Sequence, residues 1–79
     1  MKRKNDIEIG KRFMAEVRRL LPGKSEREIS RLLGCSNHML SEWETGVTPG
    51  VFFIARLEEL GADVVFIVTG RRKSDGKVD

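Results

Sequence analysis

Residues Ser25–Gly46, SEREISRLLGCSNHMLSEWETG, contain the signals for two short helices separated by a tight turn. Ser25 can cap the first of these helices, and Glu28, three residues later, completes a capping box. Gly34 follows as the expected left-handed residue at the end of that helix, since a Cβ would be strained there. Ser36 is a natural N-cap for the next helix, which we expect to end near Glu44.

The second helix of this pair has one apolar face and one polar face. At about 100° per residue, Leu40 and Trp43 can point inward together. The polar side chains that cannot share this face are Asn37, His38, Ser41 and Glu42. A short helix with such a ridge of hydrogen-bonding groups suits insertion into the major groove of DNA, provided that a neighbouring helix holds it there.

Another helix is expected before this pair. Apolar residues recur at helical spacing at Ile9, Phe13, Val17 and Leu20, with Met14 and Leu21 beside them. Pro22-Gly23 ends this helix, because proline disfavours a helical residue before it. The helix that Ser25 caps has the apolar stripe Ile29, Leu32 and Leu33. Its small Ser30 allows a neighbouring helix to approach closely.

The residues after Gly46 predict a fourth helix. Thr48 and Pro49 suit its N-cap and first position, and the helix would run from Val51 to Leu60. Its inward residues are expected to be Phe52, Phe53, Ile54, Leu57 and Leu60.

The segment Asp63–Thr69 has two interpretations. Asp63 could cap a fifth helical turn, whereas the run from Val64 to Thr69 is rich in residues that favour strands. A lone strand in a helical monomer would leave its backbone groups unpaired, so a strand here implies pairing with a second copy. Both possibilities stay open, within an all-α bundle of four or five helices.

Length and composition indicate one small domain. The 79 residues and the 39% of hydrophobic residues suffice for a compact core but not for a deep substrate cavity. The lone Cys35 excludes an internal disulfide framework and is expected to be a small buried hydrophobe. No apolar stretch of a signal peptide follows the basic N-terminus, and the run Val64–Val68 is too short to span a membrane. We therefore expect a soluble, cytoplasmic protein.

The positive charge is concentrated at the two ends of the chain, which has a net charge of +3. Residues 1–12 hold five Lys and Arg against two acidic residues, and residues 71–79 hold four against two. Residues 24–46 hold three against four. Any phosphate contacts must therefore come largely from the ends and the first helix. We expect a flexible basic arm over 1–8, a domain over 9–70 and a flexible basic tail over 71–79.

The pattern of caps, turn glycine and core residues resembles the lambda-repressor-like helix-turn-helix proteins, also called the Cro/XRE family. The residues that carry this resemblance are Ser25, Ile29, Ser30, Leu33, Gly34, Ser36, Leu40, Ser41, Trp43, Glu44 and Gly46. The resemblance extends to both ends of the domain. Its beginning is similar to that of the family at Ile9-Gly10, and its end at Leu60-Gly61 and Val68-Thr69-Gly70.

This resemblance implies a bundle of about five helices that binds double-stranded DNA as a homodimer, with helix 3 in the major groove. The base-reading positions of the family fall on Asn37, His38, Ser41 and Glu42. Phosphate contacts fall on Ser25 and Ser36, with Lys24 nearby and an arm of Lys2, Arg3 and Lys4. Gly34, Leu40, Trp43 and Glu44 take structural positions.

The chain also departs from the family pattern. Glu26 stands where the family often carries a Gln that binds a phosphate, and its charge would repel one. The Arg of helix 1 that would pair with Glu44 could be Arg18 or Arg19.

Other functional classes are weaker alternatives. Ser36, His38 and Cys35 lack an evident orienting acid and a sheltered pocket, so an enzyme is not expected. One Cys and one His do not make a zinc site, and we expect no metal and no cofactor. Two rivals remain: a protein-interaction module on the same fold (an antitoxin or adaptor), and a fragment of a larger repressor.

Overall fold

Five α-helices form the protein in a computed structural model, which describes the backbone of residues 4–72 and the side chains of residues 8–72. They are α1 (Lys4–Leu20), α2 (Glu26–Leu33), α3 (Asn37–Glu44), α4 (Val51–Glu59) and α5 (Val64–Thr69). α1 packs against α3 and α5, and α2 packs against α3 and α4. No strand occurs within residues 4–72, so the predicted all-α bundle is confirmed.

The first helix starts earlier than predicted, and the fourth helix starts at the predicted Val51 with a different N-cap. α1 begins at Lys4, so residues 4–8 belong to the first helix and not to a flexible arm. Asp6 and Glu8 suit this extension, because acidic residues near a helix N-terminus complement its dipole. α4 begins at Val51 with Gly50 as its N-cap, so Thr48 and Pro49 are not its first residues.

The core combines residues from all five helices. The buried hydrophobic side chains are Phe13, Met14, Val17, Ile29, Leu33, Leu40, Trp43, Leu57 and Ile67. Three side chains predicted to point inward are instead exposed: Leu32, Phe52 and Leu60. In α2 the inner face is centred on Ile29, Ser30 and Leu33, which places Leu32 outside it at about 100° per residue.

The segment that could have been a strand is the helix α5. Asp63 caps it, because its carboxylate accepts a hydrogen bond from the Phe66 N–H at 3.0 Å. Gly70, with φ of +84°, ends the helix in the left-handed conformation. The helical alternative for Asp63–Thr69 is therefore confirmed.

Two charged side chains of α1 hold the opposite ends of α5. The buried carboxylate of Glu16 accepts a hydrogen bond from the Asp63 N–H at 3.0 Å. Arg12 donates to the carbonyls of Ile67 at 2.9 Å and Val68 at 3.1 Å. An acid at the N-terminal end and a base at the C-terminal end both complement the dipole of α5. Tertiary contacts therefore stabilise a helix in a sequence that locally favours a strand.

Candidate nucleic-acid interface

Capping interactions define the ends of α2 and α3. The Ser25 hydroxyl accepts a hydrogen bond from the Glu28 N–H at 3.2 Å, and the Glu28 carboxylate accepts one from the Ser25 N–H at 3.0 Å. This backbone hydrogen bond lowers the pKa of Glu28. Gly34 takes the predicted left-handed conformation, with φ of +74°. Ser36 then caps α3, accepting from the Met39 N–H at 3.2 Å.

The inner face of α3 is anchored in the core by Leu40 and Trp43, which are 1% and 2% exposed. The Trp43 ring lies between Phe13 of α1 and Phe53 of α4, with ring centroids 5.0 Å and 5.1 Å away. Trp43 is thus part of the hydrophobic core. Because aromatic neighbours from two other helices contact it, α3 is fixed against both.

A close backbone approach adds to this anchoring. A Cβ on Gly10 of α1 would lie 2.8 Å from the carbonyl oxygen of Trp43 and closer still to that of Val47. Real Cβ atoms do not come this near to backbone atoms. The absence of a side chain at Gly10 therefore lets α1 pack directly on the end of α3.

The outer face of α3 exposes all four side chains predicted to read bases: Asn37, His38, Ser41 and Glu42. Two of them interact, since His38 Nε2 lies 3.3 Å from Glu42 Oε2, an ion pair whenever the imidazole is protonated. The His38 side chain is 80% exposed and that of Glu42 46%.

The predicted phosphate-contacting residues differ in where they lie. Ser25, Ser36 and Lys24 are exposed, and both serine hydroxyls already accept the capping hydrogen bonds. The Ser25 hydroxyl also donates to Glu28 Oε1 at 3.3 Å, whereas the capping interaction of Ser36 leaves its hydroxyl proton able to donate to another acceptor. Lys2 and Arg3 lie outside the described residues, and Lys4 is the first residue of α1.

The partner of Glu44 is Arg18, which forms an ion pair with it. Arg19 turns to the other side of α1 and donates two hydrogen bonds to the Glu16 carboxylate, at 2.9 Å and 3.1 Å. The Arg18–Glu44 pair joins α1 to the last turn of α3. The ambiguity between Arg18 and Arg19 is therefore settled by which side of α1 each residue occupies.

Sequence reasoning missed Glu16, a fully buried acid. It lies three residues after Phe13 and four before Leu20, so its position on the apolar stripe of α1 was a usable signal. Arg72 also reaches this carboxylate, at 2.6 Å, and its guanidinium lies 3.8 Å from the centroid of the Phe66 ring. Arg72 is thus engaged by the fold through Glu16 and Phe66.

Burial by itself would raise the pKa of Glu16, because it penalises a charged carboxylate. Hydrogen bonds from Arg19, from the Asp63 N–H and from Arg72 outweigh this effect and lower the pKa to about 2. Cys35 is partly buried, and this burial raises the pKa of its thiol. A raised pKa keeps this thiol protonated and unreactive at neutral pH.

None of the helices formed by residues 4–72 is both long enough and apolar enough to cross a lipid bilayer. In the same part of the chain, no group of three or more His, Cys, Asp or Glu side chains is placed to hold a metal ion. Comparisons with protein families, with curated proteins and with solved structures each found no match for this chain.

Proposed function

We propose that this chain is a cytoplasmic, sequence-specific DNA-binding protein of the lambda-repressor-like type that regulates transcription. The observation that carries the proposal is the two-sided character of α3. Its Leu40 and Trp43 side chains are buried, while Asn37, His38 and Glu42 are exposed on the opposite face. A helix anchored in this way can present hydrogen-bonding groups to base edges in the major groove.

Each exposed side chain suits a particular contact. Asn37 can form a bidentate contact with adenine, and Glu42 can accept a hydrogen bond from cytosine N4. His38 can donate to a guanine or phosphate acceptor, and Ser41 lies beside them for a further hydrogen bond. Ser25, Ser36 and Lys24, together with the basic N-terminus, would set the register through phosphate contacts.

The mechanism we propose is steric repression by a homodimer. Two copies of α3 would enter successive major grooves, about 34–36 Å apart, on an operator with two-fold symmetry. Occupancy of the operator would then block access of the transcription machinery.

Selection of bound sites from random duplexes tests this function, because it reports specificity, spacing and symmetry together. Recovery of a palindromic motif with half-sites one helical turn apart is the expected result. The matched control is a variant with Asn37, Ser41 and Glu42 all replaced by Ala, which should recover no motif. Recovery of no motif by the unmodified protein would overturn the proposal.

A second candidate function is a protein-interaction module, either an antitoxin or an adaptor. It is supported by the charge of residues 24–46, where four acidic residues outnumber three basic ones. Titration with random DNA at two salt concentrations separates the candidates. A DNA-binding protein shows weak, salt-sensitive affinity even without its operator, whereas an interaction module with an acidic face does not.

A further inference from the structure

A groove of about 310 Å³ opens where α1, α2 and α3 meet, beside the turn that joins α1 to α2. Its floor is apolar, because one core side chain from each helix forms it: Met14, Ile29 and Leu40. Leu21 and Pro22 of the turn extend this apolar wall. The volume lies at the lower end of the roughly 300–1,000 Å³ that is usual for small-molecule sites. The groove therefore suits a ligand about the size of a single amino acid.

Four charged side chains surround the floor of the groove, two of each sign. Arg18 and Glu44 already form an ion pair with each other. Lys24 and Glu26 are exposed at the rim, and neither forms an ion pair within residues 8–72. Lys24 also lies near Glu28, whose carboxylate is already held in the capping box. The rim therefore presents one cation and one anion beside the same apolar floor.

This combination of charges selects one kind of ligand. An anion would be attracted by Lys24 but repelled by Glu26, and a cation would meet the reverse. A zwitterion satisfies both side chains, with its carboxylate on Lys24 and its ammonium on Glu26. We propose that the groove binds a free α-amino acid with an apolar side chain, which would cover the floor. The unbranched Met14 in that floor can adapt to the shape of the side chain.

Titration of the 79-residue chain with L-phenylalanine, followed by two-dimensional amide NMR spectra, tests the site. Saturable shifts should be centred on the amides of Gly23, Lys24 and Glu26. We expect a dissociation constant on the order of 1 mM, because so few ligand atoms make contacts. The absence of saturable shifts up to about 20 mM, or shifts centred on another part of the molecule, would overturn the inference.

Three related molecules separate the contributions of charge and apolar surface. Hydrocinnamate lacks the ammonium of L-phenylalanine and phenethylamine lacks its carboxylate, but both keep the ring. Each should bind about three- to fivefold more weakly than L-phenylalanine, the size expected for the loss of one exposed ion pair. Glycine keeps both charges without a side chain and should give no saturable shift. Equal affinity for all the ring-containing molecules would contradict a site for a zwitterion.

Charge-neutralising variants assign each end of the ligand to its side chain. Glu26→Gln should weaken binding of L-phenylalanine about three- to fivefold and leave that of hydrocinnamate unchanged or stronger. Lys24→Gln should have the corresponding effect, with phenethylamine as the unaffected ligand. Glu58→Gln and Lys11→Gln, at exposed positions outside the groove, are the matched controls and should bind as the unmodified chain does. An equal loss in the controls would place the ligand elsewhere, and the dispersion of the amide spectrum establishes that each variant is folded.

A bound amino acid would also affect DNA binding, and this consequence rests on the proposed function, in which Lys24 contacts a phosphate. Saturating L-phenylalanine should weaken binding to random duplexes by about as much as Lys24→Gln does, and it should have no further effect on Lys24→Gln. An unchanged affinity for DNA would show that the ligand does not occupy Lys24. The two proposals fail separately. The NMR titration contains no DNA, so ligand binding without any DNA binding would overturn only the proposed function, and DNA binding without ligand shifts only this inference.

Discussion

The carboxylate of Glu16 accepts a hydrogen bond from the backbone N–H of Asp63, 47 residues later in the chain. This single contact ties the middle of α1 to the first residue of the α5 cap. The same carboxylate is bound by Arg19 and Arg72, so one buried acid organises the C-terminal part of the domain.

Replacement of Glu16 by Gln should destabilise the protein by about 2–3 kcal/mol, because Arg19 and Arg72 lose their charged partner. The measurement is urea unfolding at pH 7, followed by the fluorescence of Trp43. Glu58→Gln, at an exposed position of α4, is the control and should change the free energy of unfolding by less than about 0.5 kcal/mol.

The loss of stability at acidic pH should also be determined by Glu16. The pKa of Glu16 is about 2 in the folded protein, below the ordinary value of 4.5 for a glutamate side chain. A lowered pKa stabilises the fold above pH 4.5, and this contribution is lost as pH falls towards 2. We expect Glu16→Gln to flatten the fall in unfolding free energy between pH 5 and pH 2 relative to the unmodified chain. Parallel profiles for the two proteins would show that Glu16 does not govern acid unfolding.

Gly10→Ala should destabilise the protein by about 1–3 kcal/mol although alanine favours helices, because its Cβ would collide with the backbone of Trp43 and Val47. Urea unfolding measures the change. Lys11→Ala, on the exposed side of the same helix, is the control and should be neutral or slightly stabilising. A higher free energy of unfolding for Gly10→Ala would contradict this prediction, because it would mean that α1 and α3 can move apart without loss of stability.

Asn37→Ala should relax base preference at one operator position and weaken specific binding by about 1–3 kcal/mol. Competition between matched and single-substituted operators measures this preference. Glu58→Ala should leave both affinity and preference unchanged. An equal loss of affinity for all sequences would argue against base reading by Asn37.

Replacing Lys2 and Arg3 by Ser should reduce the salt dependence of DNA binding. Each lost phosphate contact lowers the slope of log affinity against log salt by about 0.9, so the two together lower it by up to about 1.8. Binding to random duplexes across a series of salt concentrations gives the slope, and Lys24→Ala provides a single-contact comparison. An unchanged slope would show that Lys2 and Arg3 do not contact DNA phosphates.

Local signals were enough to predict much of the candidate site. The Ser25–Glu28 capping box, Gly34 and the Ser36 cap each act over three or four residues, so their geometry follows from the sequence alone. The division of α3 into an anchored face and an exposed face follows from helical periodicity, and burial of Leu40 and Trp43 agrees with it. The start of α1 at Lys4 and the Gly50 cap of α4 were not predicted.

Contacts between distant segments decided the rest. The run Val64–Thr69 favours a strand locally, and it is a helix because Glu16 and Arg12 bind its two ends. The choice of Arg18 over Arg19 as the partner of Glu44, and the exposure of Phe52, depend on how the helices pack. Periodicity states which residues share a face, but only the neighbouring helices determine whether that face is covered.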